Sequence, residues 1–259
     1  MKAPKAPMAR LDRLLANLGY GSRREVAALV MHRQVVLDGV ELRDAGARIA
    51  LTPDLSARMS VVGQPLDPPA PLTILMHKPL GVVCSHRETG RTIYELLPRR
   101  WQARMPALSS IGRLDKETSG LLLITDDGPF LHRVISPRSK VAKRYIATLD
   151  RPLTGGEAEA FASGELMLEG ETNPLAPAIL EPLGDRDARL IITEGRYHQV
   201  RRMFAAVGNH VTALHRDRIG GLDLPADLAP GAWRVLTLDQ QSLILSQDRL
   251  TQAAASPRS

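Results

Sequence analysis

The stretch from Ile111 to Gly128, IGRLDKETSGLLLITDDG, constrains the chain more than any other. Leu121 to Thr125 is a continuous apolar run that ends in polar turn residues. Such a run reads as a strand buried on both faces, with a buried helix turn as the lesser alternative. Before it stand Gly112-Arg113-Leu114-Asp115, then Lys116 to Ser119 and Gly120. A carboxylate is thus held in a tight loop at the edge of a buried strand, with Arg113 and Lys116 close by in sequence. Flanking cations keep such a carboxylate ionised and able to act as a nucleophile or base. For Gly-Arg-Leu-Asp alone, a turn-forming aspartate beside a solvated lysine is the better reading. The whole string is more specific than that.

The 259 residues suffice for one large domain and a small one, and an apolar fraction of 44% allows a sizeable core. Aromatic residues are only 3%, which argues against a surface that grips single strands mainly by stacking. Lys and Arg exceed Asp and Glu by 34 to 28, and the pI is near 9.8. A positive excess points towards a polyanionic partner, most simply nucleic acid, although charge alone decides little. Cys84 is the only cysteine, which excludes an internal disulfide and suggests a reducing compartment. No apolar run approaches the ~20 residues needed to span a membrane, and MKAPKAPMAR has no apolar core of the signal-peptide kind. A cytoplasmic, monomeric protein that does not engage membranes is the expectation.

Residues 1–8 carry Pro and Lys and are expected to be disordered. From Arg10 the pattern is helical, with Leu11, Leu14, Leu15 and Leu18 on one face and Gly19 and Gly21 closing the helix. Ser22 to Glu25 has the form of a capping box and opens a second helix that buries Val26, Leu29 and Val30. Arg23 and Arg24 fall in its first turn, where free backbone N–H groups and two guanidinium groups can face one phosphate. Gln34 to Leu37, Asp38-Gly39 and Val40 to Leu42 read as a hairpin. Together, RLDRLLANLGYGSRREVAALV and this hairpin resemble the S4 RNA-binding module over roughly Arg10 to Ser56, departing from it at His32-Arg33-Gln34, where a glycine is usual, and the domain is assigned to 9–62. GQPLDPPAP, residues 63–71, is Pro-rich and aperiodic and is assigned as the linker.

A second domain is expected over 72–245, followed by a polar, Ala-rich, disordered tail over 246–259. It opens with a β-like run at Leu72 to Met76 and then His77-Lys78-Pro79-Leu80-Gly81. Arg99, Arg100 and Arg104 form either a phosphate-contacting edge or an ordinary solvated face. Ser136 to Arg144 is strongly basic, through Arg138, Lys140, Lys143 and Arg144, and leads into Tyr145 and the strand YIATL. A β-run over Arg189 to Thr193 reaches EGRYHQVRR, and Val200, Met203, Phe204 and Val207 mark the buried stripe of the helix after it. At ~100° per residue, Arg201 lies about 110° from the centre of that stripe and Arg202 about 150°. Arg201 is therefore the better placed to reach into a cleft and pair with Asp115. Arg202 and His198 suit RNA phosphate. His215, Arg216 and Arg218 form a further basic cluster.

These motifs, in this order, resemble the pseudouridine synthases of the RsuA-type branch, and within it most closely those that act on bacterial small-subunit ribosomal RNA. The strongest pieces are the string from Ile111 to Gly128 and the stretch from Glu194 to Gly221. The resemblance implies that Asp115 is the catalytic residue, that Tyr145 stacks on the flipped target base and that Arg201 is the basic partner of Asp115. It places Arg113 and Leu114 in the substrate pocket, together with Ile192 or its neighbour. Lys78 belongs to a Lys-Pro-x-Gly turn that shapes the floor of the site and also touches RNA. Further RNA contacts are expected from Arg10, Arg23, Arg24, Arg138, Lys140, Lys143, Arg196, His198, Arg202 and Arg216. A base drawn out of its stack needs a flat apolar partner, which Tyr145 supplies.

No cofactor is implied, since neither a P-loop nor a dinucleotide-binding glycine motif is present, and the scattered histidines suggest no metal site. His86-Arg87-Glu88 matches half of a zinc deaminase signature, but its cysteine pair is missing. A glycosidase pairing Asp115 with Glu117 or Asp126 is an alternative. Others are a large-subunit rRNA synthase of the same branch and a non-catalytic S4-type ribosome-assembly factor. The fold expected is α+β. A small α/β S4 module precedes a catalytic domain with a mixed, largely antiparallel sheet and flanking helices, whose partner is ribosomal RNA or the assembling small subunit.

Overall fold

The computed structural model describes residues 6–85 and 89–246. The expected disorder of residues 1–5 and 247–259, and the His86-Arg87-Glu88 triplet, lie outside the described residues. The chain forms two compact units: Met1–Leu72 with Leu97–Ser109 and Thr125–Asp127, and Thr73–Leu96 with Ser110–Ile124 and Gly128–Ser259.

In the first unit, β1 (Met8–Arg10) leads directly into α1 (Leu11–Asn17), and α2 (Arg23–Met31) follows. Leu11, Leu14, Leu15 and Leu18 are buried, as their spacing requires. Ser22 accepts from the Glu25 N–H while the Glu25 side chain accepts from the Ser22 N–H, so the expected capping box is formed. Strands β2 (Val35–Leu37) and β3 (Val40–Glu41) make the hairpin, with Asp38 and Gly39 both at positive φ, +51° and +79°, as a tight two-residue turn demands. Arg33 adopts φ +58° at the point where the module usually has glycine. Strand β4 (Arg48–Ala50) pairs with β1, so Met8 is a strand residue and not part of a disordered leader.

The segment read as a linker is also structured at its start. After α3 (Leu55–Arg58) and β5 (Met59–Val61), Gln64–Pro65 forms β6 and completes the sheet β3-β2-β5-β6. Leu66 joins the helix core beside Val26 and Met59. An apolar side chain that fits a core overrides the local signal of its prolines. The arginine cluster divides too. Arg100 pairs with the buried Asp67, and Arg104 is buried against Asp126 at 3.1 Å; neither forms a phosphate edge.

The second unit is built on one mixed sheet. Its members, in chain order, are β7 (Thr73–Lys78), β8 (Ser109–Ile111), β9 (Thr118–Thr125), β10 (Lys143–Leu149), β11 (Ile179–Pro182), β12 (Asp187–Ile192), β13 (Val211–Ile219), β14 (Leu222–Asp223) and β15 (Trp233–Val235). The order across it is β11-β12-β10-β13-β9-β7-β15, with β8 beside β9 and β14 beside β13. β13 and β9 run parallel; β10 is antiparallel to both β12 and β13. The helices are α4 (Gly128–Ile135), α5 (Glu157–Ala162), α6 (Gln199–Ala206) and α7 (Leu238–Leu245). Leu121 to Ile124 are fully buried, the two-faced burial expected of that run. Between Arg144 and Tyr145 the register on β13 skips Asp217, a bulge of the kind that re-aims side chains beside active sites.

Candidate active site

Asp115 sits in the loop between β8 and β9, and its position is fixed through the backbone. The Leu114 carbonyl accepts from Cys84 Sγ at 3.3 Å. The Asp115 carbonyl accepts from Lys78 Nζ at 3.0 Å and from the Thr118 N–H at 3.0 Å. The Lys116 carbonyl takes the Gly81 N–H, the Glu117 carbonyl takes Arg201 Nη2 at 3.0 Å, and the Thr118 carbonyl takes Lys78 Nζ at 2.9 Å. Each carbonyl from Leu114 to Thr118 therefore has a named donor. A loop so held presents its side chains with little freedom, which is what a reacting group needs. Gly120 follows at φ +115°, where a Cβ would lie 2.2 Å from the Arg216 carbonyl oxygen, so only glycine lets β9 run this close to β13.

The loop opens into a cleft of about 360 Å³. Arg113, Leu114, Asp115, Tyr145 and Ile192 all line it, which joins the residues expected to form the pocket. Asp115 is half-buried, and its Oδ1 lies 3.3 Å from His198 Nε2. The His198 ring stacks on Tyr197 at 3.9 Å between centroids. His198 itself adopts φ +49° immediately before α6, which turns its ring away from the helix face that a wheel would assign it.

Arg201 does not contact the Asp115 carboxylate. It donates to the carbonyls of Val211 and Glu117, at 2.9 and 3.0 Å, and so holds the loop instead of neutralising its aspartate. The cation beside the carboxylate is His198, when protonated, rather than Arg201. Lys78 is fully buried and gives its ammonium to three carbonyls, of Pro79, Asp115 and Thr118, which removes it from any RNA contact. Burial holds its pKa below the ordinary lysine value.

Most of the expected RNA-contacting cations are engaged elsewhere. Arg196 and Arg202 both pair with Glu171, and Arg202 also donates to the Glu169 carbonyl. They staple the 169–174 loop to the start of α6. Arg10 and Arg23 converge on Asp12, whose carboxyl they hold well below the usual carboxylate range. Arg144 is bound to Asp217 and Asp223. Arg216 is buried, with its guanidinium in the cleft beside Tyr145, and Lys143 lines the same cleft. Burial and the nearby Arg216 bring the Lys143 ammonium down to about 8, against the pull of Glu194. His215 is half-buried against His77 and Ser119, and burial lowers its pKa. Arg24, Arg138 and Lys140 stay exposed, with no side-chain partner among the described residues.

Sequence reasoning missed the loop clamp by Cys84 and the staple made by Glu171. The spacing of Leu214 and Arg216, two apart in a strand, was the available signal that Arg216 faces inward. The arrangement can hold a flat ring against Tyr145 and Ile192 and offer it the carboxylate of Asp115. Glu194 also lines the cleft, but its oxygens accept from the Ala176 N–H, Gln199 and Arg196. Asp126 is locked to Arg104 in the other unit and Glu117 is exposed outside the cleft lining, so neither completes a glycosidase pair with Asp115. Among the described residues, no group of three or more His, Cys, Asp or Glu could hold a metal ion.

An enzyme class with one carboxylate, a stacking aromatic and a base-sized cleft is defined by these features, and similarity agrees with it. Residues 72–206 match the RNA pseudouridylate synthase family and residues 9–51 the S4 domain. The chain belongs to the RNA pseudouridylate synthase family. The ribosomal small subunit pseudouridine synthase A of Escherichia coli K12 is 41% identical over 235 residues, covering 89% of this chain and 97% of that protein. Its namesake in Yersinia pestis is 42% identical over 233 residues, covering 89% and 96%. A crystal structure of a pseudouridylate synthase superposes with a TM-score of 0.64 at 34% identity, covering 91% of this chain and 99% of that one. No helix among the described residues is long and apolar enough to cross a membrane.

Proposed function

We propose that this protein, acting as a monomer in the cytoplasm, converts one uridine of small-subunit ribosomal RNA into pseudouridine, with Asp115 as the catalytic residue. The observation that carries the reading is the loop from Leu114 to Thr118, whose carbonyls are all engaged while the Asp115 side chain faces the cleft. The uridine is drawn out of its stack and its base lies against Tyr145 and Ile192. Asp115 then promotes cleavage of the N1–C1′ bond, either by attack on C1′ or by removal of a neighbouring sugar proton. The base turns, C5 bonds to C1′, and the C5 proton leaves. The likeness to enzymes named for the small subunit supports the choice of RNA, and the exposed Arg24, Arg138 and Lys140 are available for its phosphates.

Release of tritium from C5-labelled uridine in a small-subunit rRNA transcript tests this. The wild type should release tritium and Asp115→Asn should not, with equal RNA affinity. If naked RNA is inert, the assay is repeated on partly assembled small subunits. Silence there too, with binding intact, would replace the reading by a non-catalytic RNA-binding factor.

A further inference from the structure

Arg216 is a buried cation that the fold does not fully use. Its side chain lines the cleft and is 3% exposed. Nε donates to the Leu121 carbonyl at 2.9 Å and Nη1 to the Tyr145 hydroxyl at 3.3 Å, which fixes the guanidinium beside the aromatic ring. Nη2 is buried and has no partner. A buried donor left unpaired costs roughly 1–3 kcal/mol, which an acceptor brought into the cleft beside it would recover. Lys143 projects into the same cleft from β10, two residues before Tyr145 and hence on the same face. Its ammonium makes no hydrogen bond to the described residues. Two cations, of which Arg216 is buried, thus share one cleft with Tyr145. A buried guanidinium suits a base that enters the cleft better than a backbone phosphate, which stays with the sugar.

We propose that Arg216 and Lys143 together stabilise the uracil anion during the interval in which the base is detached from its ribose. The inference rests on the isomerase reading above. By the nucleophilic route, an Asp115 oxygen–C1′ bond forms as C1′–N1 breaks. By the elimination route, Asp115 takes the C2′ proton, a C1′–C2′ double bond forms, and C1′–N1 breaks. In both, the electron pair of the broken bond departs with the base, and its negative charge spreads over N1, O2 and O4. On return, C5 bonds to C1′ as Asp115 is released, or as it gives its proton back to C2′. The C5 proton is then lost and N1 takes one up, so no co-reactant is consumed. Donors already aimed at the developing charge act without reorganisation, and in a desolvated site each is worth about 10²–10³ in rate. The pair also accounts for the base staying in the cleft while it turns.

The other charged and titratable groups that share the cleft are Asp115, Glu194, His198, Tyr145, Tyr197, Arg113 and Arg196. Against that background Lys143 has its pKa near 8, so its charge is present at neutral pH and withdrawn above about 8. Single-turnover tritium release across pH 6.5–9.5, with RNA affinity measured in parallel, reads both cations. The wild-type rate should fall above pH of about 8. Lys143→Gln, which breaks no hydrogen bond of the fold, should lose about 100-fold in rate at unchanged affinity. Lys143→Arg should recover most of the rate and abolish the alkaline fall, because arginine does not deprotonate. Arg216→Lys should slow turnover by at least 10-fold, again without loss of affinity. A Lys143→Gln rate within threefold of wild type would overturn the inference alone, as would a rate loss matched by an equal loss of RNA affinity or an alkaline limb that survives in Lys143→Arg. A silent wild type would overturn it together with the isomerase reading.

Discussion

Replacing Lys78 by Met separates the architecture of the loop from its chemistry. The Lys78 ammonium is fully buried and donates to three carbonyls, at 2.9, 3.0 and 3.1 Å, two of them in the Asp115 loop. Hydrogen bonds to a charged donor contribute about 1.5–3 kcal/mol each, so the three give roughly 5–9 kcal/mol gross. Desolvating the ammonium opposes this by several kcal/mol. Methionine keeps the volume and restores the desolvation term, but leaves the Pro79 and Thr118 carbonyls without that donor. The Asp115 carbonyl retains the Thr118 N–H. The net loss should be about 2–4 kcal/mol, equivalent to a fall in Tm of roughly 5–15 °C for a domain of this size. The rate should suffer more, since displacing a reacting group by ~1 Å costs about 10²-fold. Circular-dichroism melts, and single-turnover tritium release at a temperature where the variant is folded, measure the two effects. A Lys78→Met protein with unchanged Tm and rate would refute the claim that this ammonium holds the loop.

Gly120→Ala should destabilise by about 3 kcal/mol or more, because the new Cβ meets the Arg216 carbonyl at 2.2 Å in a backbone conformation that alanine disfavours; a chemical denaturation curve measures it. Asp126→Leu should cost about 3–5 kcal/mol by stranding the buried Arg104 and the Leu72 N–H that Asp126 accepts, and the double change with Arg104→Met should recover only the share owed to Arg104 in the same assay. Arg24→Ala and Arg138→Ala should each weaken RNA binding and reduce the salt slope by about 0.7–0.9, the share of one phosphate contact, whereas Arg144→Ala, whose partners are Asp217 and Asp223, should lower Tm and leave the slope unchanged.

The pocket was legible where short-range signals sufficed. Asp115, Leu114 and Tyr145 were marked by contiguous motifs, and Ile192 or its neighbour by the family resemblance; the structure brings Asp115, Leu114, Tyr145 and Ile192 to one cleft. The S4 helices were legible for the same reason, down to the capping box of Ser22 and Glu25. Arg201 was misjudged because a wheel fixes an angle about α6 but not what lies there. The nearest acceptors are the carbonyls of Glu117 and Val211, while the left-handed turn at His198 swings that ring to Asp115. The basic residues failed more widely. Whether an arginine is open to RNA depends on carboxylates remote in sequence, as for Arg196 with Glu171, Arg100 with Asp67 and Arg144 with Asp217. Local composition cannot reveal such pairs. Residues 63–71 carried proline signals of a linker, yet Leu66 finds a core and Gln64–Pro65 a strand partner.

The most direct test of the central claim is a map of pseudouridine in small-subunit rRNA from cells lacking this gene, complemented with the wild type or with Asp115→Asn. The account predicts one uridine that is modified with the wild type and unmodified in the deletion and with Asp115→Asn, even where the variant protein is present at wild-type level and binds the RNA. Modification of that site by Asp115→Asn, or a map that does not change when the gene is removed, would contradict it.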